Sequence, residues 1–383
     1  ILFGEGYDKT LDIAQREQEI VVVQDCLRLC VALTKSDDMG CELLLGSRGC
    51  LSSLVRLLDL RRGRKFRFPQ GEEEEEEEEE GDDLDDLLQA GSTPDKKKQK
   101  VKIPYLTDGE EEIVSLILDI LELVIRSGEE DESESTQRKR LSRIKTIIST
   151  DVLLRSVLDL AMYTHPPPGA AYVSAVPSPS LQHKGLDLMS YLAKAAGLDD
   201  TGASQEHILQ TDPLYLRGRV PALDRLMYLV CTGGFGGGDL TADQSAATSV
   251  HALAAFRAAL SVQNASLMVL HTLAPPPPMD EDAGRMPQEP LVVQKLVNTL
   301  AESSLRLCWE GDVPSNEQIR VRINVVGAAG ALGVFLTNGA GDTTREMLLR
   351  VPISMVPPSQ EGESAPPSTL MECILTYIEY ASS

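Results

Sequence analysis

Helix-length apolar runs begin again and again along this chain, with no strand–helix alternation between them. The spans 19–35, 111–126, 142–163, 248–273 and 291–309 carry apolar residues at the three-and-four spacing that lines one face of an α-helix. Such helices, made in pairs, bury each apolar face against the neighbouring pair. The pattern therefore predicts an all-α helical solenoid of degenerate repeats, with residues 1–383 as one lengthwise unit. Hydrophobic residues are 42% of the chain and aromatics only 4%, so Leu, Val, Ile and Ala must fill the space between helices. Charge interrupts the longest runs, as Asp119 and Glu122 do in 111–126, so no span of roughly 18 apolar residues is expected to cross a bilayer.

The first helix is well specified. Ile20, Val23, Leu27, Cys30 and Val31 form one apolar stripe, and Gln24, Asp25, Arg28 and Lys35 are expected away from it. A short helix over 39–45 and another over 51–60 follow through glycine-bearing turns, a rhythm of about forty residues that fits the armadillo or HEAT period. Residues 61–106 then break the pattern. Basic residues at both ends flank the unbroken acidic run from Glu72 to Glu80 and Asp82, Asp83, Asp85 and Asp86, which supplies more than half of the net charge of −23. So little apolar surface cannot offset the ordering entropy, and a disordered charged insertion is expected there.

The helical pattern resumes at 111–126. Its polar residues Ser115, Asp119, Glu122 and Arg126 form one narrow stripe on an otherwise apolar cylinder, which predicts an inner helix wetted along one line. Further helices are expected over 138–150, 152–163, 182–196, 221–230, 246–260, 265–273, 291–309, 317–336, 343–349 and 368–380, with Pro-, Gly- and acid-rich linkers.

Chemistry-bearing motifs are scarce. Seven cysteines, several within helical apolar patterns, read as reduced thiols of a cytosolic protein. Cys26, Cys30, Cys41 and Cys50 include no C-x2-C pair and no His at ligand spacing, so no metal is expected. The glycine cluster 233–238 follows a helix and has no Lys-Ser/Thr to hold phosphates, so it reads as a loop. The cluster 327–333 follows 322–326, which could be a strand, but 316–321 has helical periodicity and no second strand with a terminal acid follows, so its small residues are expected to permit close helix contact; no cofactor is assigned. The five histidines lie in no HExxH, no G-x-S-x-G elbow is present, and no catalytic residue is named; His251 and His271 are expected as packing residues. The basic residues do not gather with aromatics, so no nucleic-acid groove is expected.

Three segments resemble one family, the armadillo-like globular head of the Uso-type general vesicular transport factors, which tether vesicles at the Golgi. The first is Ile20-Val21-Val22-Val23-Gln24-Asp25-Cys26-Leu27-Arg28-Leu29, running on through 51–60. The second is 265–273. The third is Arg345-Glu346-Met347-Leu348-Leu349-Arg350-Val351-Pro352-Ile353, then a Pro-rich gap and Pro366-Pro367-Ser368-Thr369-Leu370-Met371-Glu372-Cys373. The matching signature positions are Asp25, Cys26, Leu27, Leu348, Leu349, Arg350 and Val351. The chain departs from the family at Ser36-Asp37-Asp38, where an Asn-rich turn is expected, and at Pro352 in place of Gln.

The resemblance implies a non-catalytic, homodimeric head on a long coiled coil beyond Ser383. It would be cytoplasmic and peripheral on Golgi and transport-vesicle membranes, working with a Rab-type small GTPase, SNARE-type fusion proteins and golgins in ER-to-Golgi or intra-Golgi transport. The chain starts without Met and is expected to be an internal piece of a longer protein. The other reading left by the helix rhythm is a soluble armadillo-type adaptor or transport receptor for peptide cargo. That reading calls for a ladder of exposed Asn and Trp, and Trp309 is the only tryptophan.

Overall fold

The computed structural model describes residues 13–36, 38–58, 61–62, 106–131, 133–163, 173–174, 176–199, 201–211, 222–234, 240–262, 296–301, 303 and 315–338, with a few positions between 371 and 379. The described chain is all-α in character. Its helices are α1 (Ile13–Ser36), α2 (Asp38–Gly46), α3 (Arg48–Leu58), α4 (Asp108–Arg126), α5 (Glu134–Ser149), α6 (Asp151–Ala161), α7 (Pro179–Ala196), α8 (Ala203–Gln210), α9 (Ala222–Thr232), α10 (Ala242–Ala259) and α11 (Ser315–Asn338). The expected helices 265–273 and 343–349 lie outside the described residues. Of the expected 291–309 helix, the stretch 296–301 is described as helical, and it buries Leu296, Val297, Leu300 and Ala301.

Helix α4 shows how local sequence sets the elements. The Thr107 hydroxyl accepts from the Glu110 backbone N–H at 3.4 Å, and the Glu110 carboxylate accepts from the Thr107 N–H at 3.0 Å, a reciprocal capping box. Asp108, Glu110 and Glu111 crowd the first turn and Arg126 the last, each sign at the end of the helix dipole that favours it. Ile113, Val114, Ile117, Leu118, Ile120, Leu121, Val124 and Ile125 are buried, and α1, α3, α5 and α7 all pack on this one helix. Its far end is held by two buried arginines of α5. Arg140 Nε donates to the Ile125 carbonyl at 3.0 Å, and Arg143 donates to the Ser127 hydroxyl and carbonyl at 3.1 and 3.2 Å. Cations there satisfy carbonyls that the helix leaves without an internal partner.

The polar stripe of α4 proves to be a seam with a neighbouring helix. Lys184 of α7 donates to the Ser115 hydroxyl at 2.7 Å and pairs with Asp119 at 2.7 Å, while Arg126 lies over the Tyr191 ring of α7 at 5.2 Å. An inner helix needs polar residues wherever a neighbour brings a charge, so the stripe serves α7 as well as water.

Main packing runs in a row in which α1 lies on α4, α4 on α7, α7 on α10 and α10 on α11. The connecting helices fill in beside it, with α6 against α7, and α9 against both α10 and α11. Close approach depends on missing side chains. A Cβ at Gly185 would sit 3.1 Å from the Ala161 Cα, and one at Gly327 would collide with the Val230 carbonyl oxygen. Phe256 of α10 and Phe335 of α11, both fully buried, meet edge to face with centroids 5.6 Å apart.

Two short strands complete the described fold. β1 (Arg61–Arg62) pairs antiparallel with β2 (Val173–Ser174), with Arg61 opposite Ser174 and Arg62 opposite Val173. Leu106 is buried, and its N–H donates to the Val176 carbonyl at 3.3 Å. Residues at both ends of the expected charged insertion are thus bonded to Val173, Ser174 and Val176. Residues 63–105 lie outside the described residues.

Two further corrections concern single elements. Gln24, expected on the wet side of α1, is buried because its Nε2 donates to the Gly109 carbonyl at 3.2 Å, at the start of α4. Helix α11 is long and apolar enough to cross a membrane by length and composition, against the expectation from the charge pattern. Half of its apolar window is buried within the fold, against α9 and α10.

Candidate interaction surface

Helix α1 has two apolar stripes rather than one. The inner stripe buries Gln24, Leu27 and Thr34, with Ile20, Val23, Cys30 and Val31 partly buried beside them. At 100° per residue, Val22, Cys26, Leu29 and Leu33 recur at four, three and four and fall on a second line. Val22, Leu29 and Leu33 are exposed (Leu29 by 60%), and Cys26 is half-buried. Helix α2, packed on α1, adds exposed Met39 and Leu43, the latter by 68%. Large apolar side chains lined up along one exposed face of α1 form a patch, which scattered single residues do not. Beside the patch, Arg28 bridges Asp25 at 2.7 Å and Glu112 of α4.

The signature positions divide by role. Leu27 is core and 6% exposed, Asp25 is on the surface in its ion pair with Arg28, and Cys26 lies on the outer stripe. Leu348, Leu349, Arg350 and Val351 lie outside the described residues. Of the four N-terminal cysteines, Cys26 and Cys50 lie near Cys30. Cys41 is buried with its thiol toward the Thr34 carbonyl at 3.9 Å. Burial raises the Cys30 thiol, helped by nearby Cys50 and Cys26. Among the described residues no three His, Cys, Asp or Glu side chains are grouped to hold a metal ion. Burial pushes the Cys231 thiol up to about 12, which leaves it a packing group.

The glycine cluster 327–333 lies wholly inside α11. Gly233 and Gly234 of the other cluster form a turn with φ of 60° and 76°, and a Cβ at Gly233 would strike the Ser245 carbonyl.

Two polar constellations were not foreseen from sequence. Asp159 of α6 and Arg225 of α9 are both 3% exposed and stand 4.0 Å apart, with Arg225 Nη1 also donating to the Met162 carbonyl at 3.3 Å. Across α7 and α10, the His183 and His251 rings stack at 4.6 Å. His251 was expected as a packing residue; its partner on α7 has no local sequence signal, because the two lie on different elements. Comparison with protein-family models, with characterised proteins and with solved structures gives no match.

Proposed function

We propose that this chain is the armadillo-like, non-catalytic head of a vesicle tether, acting by protein contacts in ER-to-Golgi or intra-Golgi transport. The observation that carries the reading is the outer apolar stripe of α1, because three of its four residues, Val22, Cys26 and Leu29, lie in the segment 20–29 that resembles the tethering-factor head. A helix that is apolar on two sides calls for cover on both, and here one side is taken by α4. The row α1, α4, α7, α10 supports an armadillo-like arrangement, since every third helix in line is what stacked three-helix repeats produce. The partners proposed are a Rab-type GTPase, SNARE-type fusion proteins and golgins, with the protein peripheral on Golgi and transport-vesicle membranes and dimeric through its full-length form.

The direct test is binding of the full chain to a panel of purified Rab-type GTPases, each loaded with a GTP analogue or with GDP. Nucleotide-dependent binding to at least one member, weakened tenfold or more by Leu29→Asp with Leu33→Asp, is expected. Equal behaviour of both nucleotide states across the panel would remove the GTPase from the proposal.

A further inference from the structure

We propose that the stacked histidines His183 and His251 form a proton-operated latch between α7 and α10, closed when the pair is neutral and released when both rings carry a proton. The geometry assigns each proton. Thr248 Oγ1 donates to the Gln244 carbonyl at 2.9 Å, so its one hydrogen is spent, and His183 Nε2 at 2.8 Å must be the donor to it. His251 Nδ1 donates to Asp187 Oδ1 at 2.7 Å. Neutral His183 is therefore the Nε2–H tautomer and neutral His251 the Nδ1–H tautomer. The nitrogens that take up a second proton are His183 Nδ1 and His251 Nε2.

A proton suits this site better than a metal. The rings lie 14° from parallel, so their in-plane lone pairs cannot converge on one ion. Two imidazolium rings stacked at 4.6 Å repel, and among the described residues one carboxylate, Asp187, faces them. Asp187 is on the same helix as His183 and already serves His251. Lys184, the next residue, is turned away to Asp119 and Ser115 of α4. The groups acting on His183 are thus His251 from α10 and Asp187 from α7.

Burial first, and His251 second, lower His183 from its ordinary value near 6.5, with Asp187 opposing. A histidine lowered in the folded state takes its proton more readily in the unfolded chain. The stability it carries is full above about pH 6.5, is lost as pH falls through the window between the unfolded and folded values, and levels off below it. The element released is α10, which is packed on α7, α9 and α11. Acidification would therefore part the helical row at one joint before it unfolds the rest.

The experiment is hydrogen exchange of the α10 amides in the full chain from pH 7.5 to 5.5, corrected for the intrinsic rate, beside NMR titration of labelled histidines. The expected result is a several-fold loss of α10 protection at pH 5.5, with about tenfold as the ceiling that one histidine of ordinary value near 6.5 allows. In His183→Phe, which keeps an aromatic ring but cannot charge, the acid loss should disappear while protection at pH 7.5 stays within twofold. Asp187→Asn should enlarge the loss, since the opposing carboxylate is gone. Equal acid sensitivity of wild type and His183→Phe overturns the latch, as does α10 protection that ignores pH. If His183→Phe does not fold, His251→Phe and the wild-type titrations decide: curves for His183 and His251 that are independent of one another also overturn it.

Discussion

Truncating Leu121 to Ala probes whether α4 is an inner helix of the fold. Leu121 is 1% exposed, and α4 is packed by α1, α3, α5 and α7, so the surroundings have little freedom to close over a void. Buried Leu→Ala changes cost about 2–5 kcal/mol, and a site hemmed in this way belongs to the upper part, about 3–4 kcal/mol. Against a total of about 5–15 kcal/mol for a domain, that is a large share. The melting temperature should fall by roughly 6–16 °C at about 2–4 °C per kcal/mol. Leu121→Asp should be worse, because a buried carboxylate has no partner there. Leu29→Ala is the control: at 60% exposed on α1 it should change stability by less than about 0.5 kcal/mol. Urea unfolding followed by far-UV circular dichroism measures both. A Leu121→Ala loss within about 1 kcal/mol of the Leu29→Ala value would refute the packing argument.

Three other perturbations follow from the same packing. Gly327→Ala drives a methyl into the Val230 carbonyl and should cost about 1–3 kcal/mol, whereas Gly333→Ala, with nothing within 4 Å of the new atom, should gain up to about 1 kcal/mol from helix propensity. Opposite signs in thermal unfolding are the test. Arg225→Met removes the buried cation beside Asp159 and should cost about 3–5 kcal/mol, while the double change Arg225→Met with Asp159→Leu should recover most of it; an equal loss in both would refute the pairing. With its thiol at about 12, Cys231 should resist alkylation at pH 8, where exposed Cys50 reacts, and gain reactivity only as pH approaches that value; peptide mapping by mass spectrometry reads each site.

The helices were legible wherever an apolar stripe ran for three turns or more. The expected 19–35, 111–126 and 246–260 helices correspond to Ile13–Ser36, Asp108–Arg126 and Ala242–Ala259. Helix α8 escaped notice because Ala203–Gln210 is short and offers only Ile208 and Leu209 as an apolar pair. The true start of α7 had a local signal that was passed over: Ser178 as N-cap, its hydroxyl accepting from the Leu181 N–H, with Pro179 at the first helical position. What sequence could not reveal was pairing at a distance. The burial of Gln24 depends on the Gly109 carbonyl, and the buried Arg225 depends on Asp159 and the Met162 carbonyl. The outer stripe of α1 was present in sequence as Val22, Leu29 and Leu33, but only packing separates a stripe that finds a neighbour from one that stays exposed.

The tether reading is tested most directly by imaging the full-length protein at its native level beside markers of Golgi and transport-vesicle membranes. The account predicts concentration at those membranes, and dispersal into the cytosol on Leu29→Asp with Leu33→Asp while the melting temperature is unchanged. An even cytosolic distribution of the unaltered protein would contradict it.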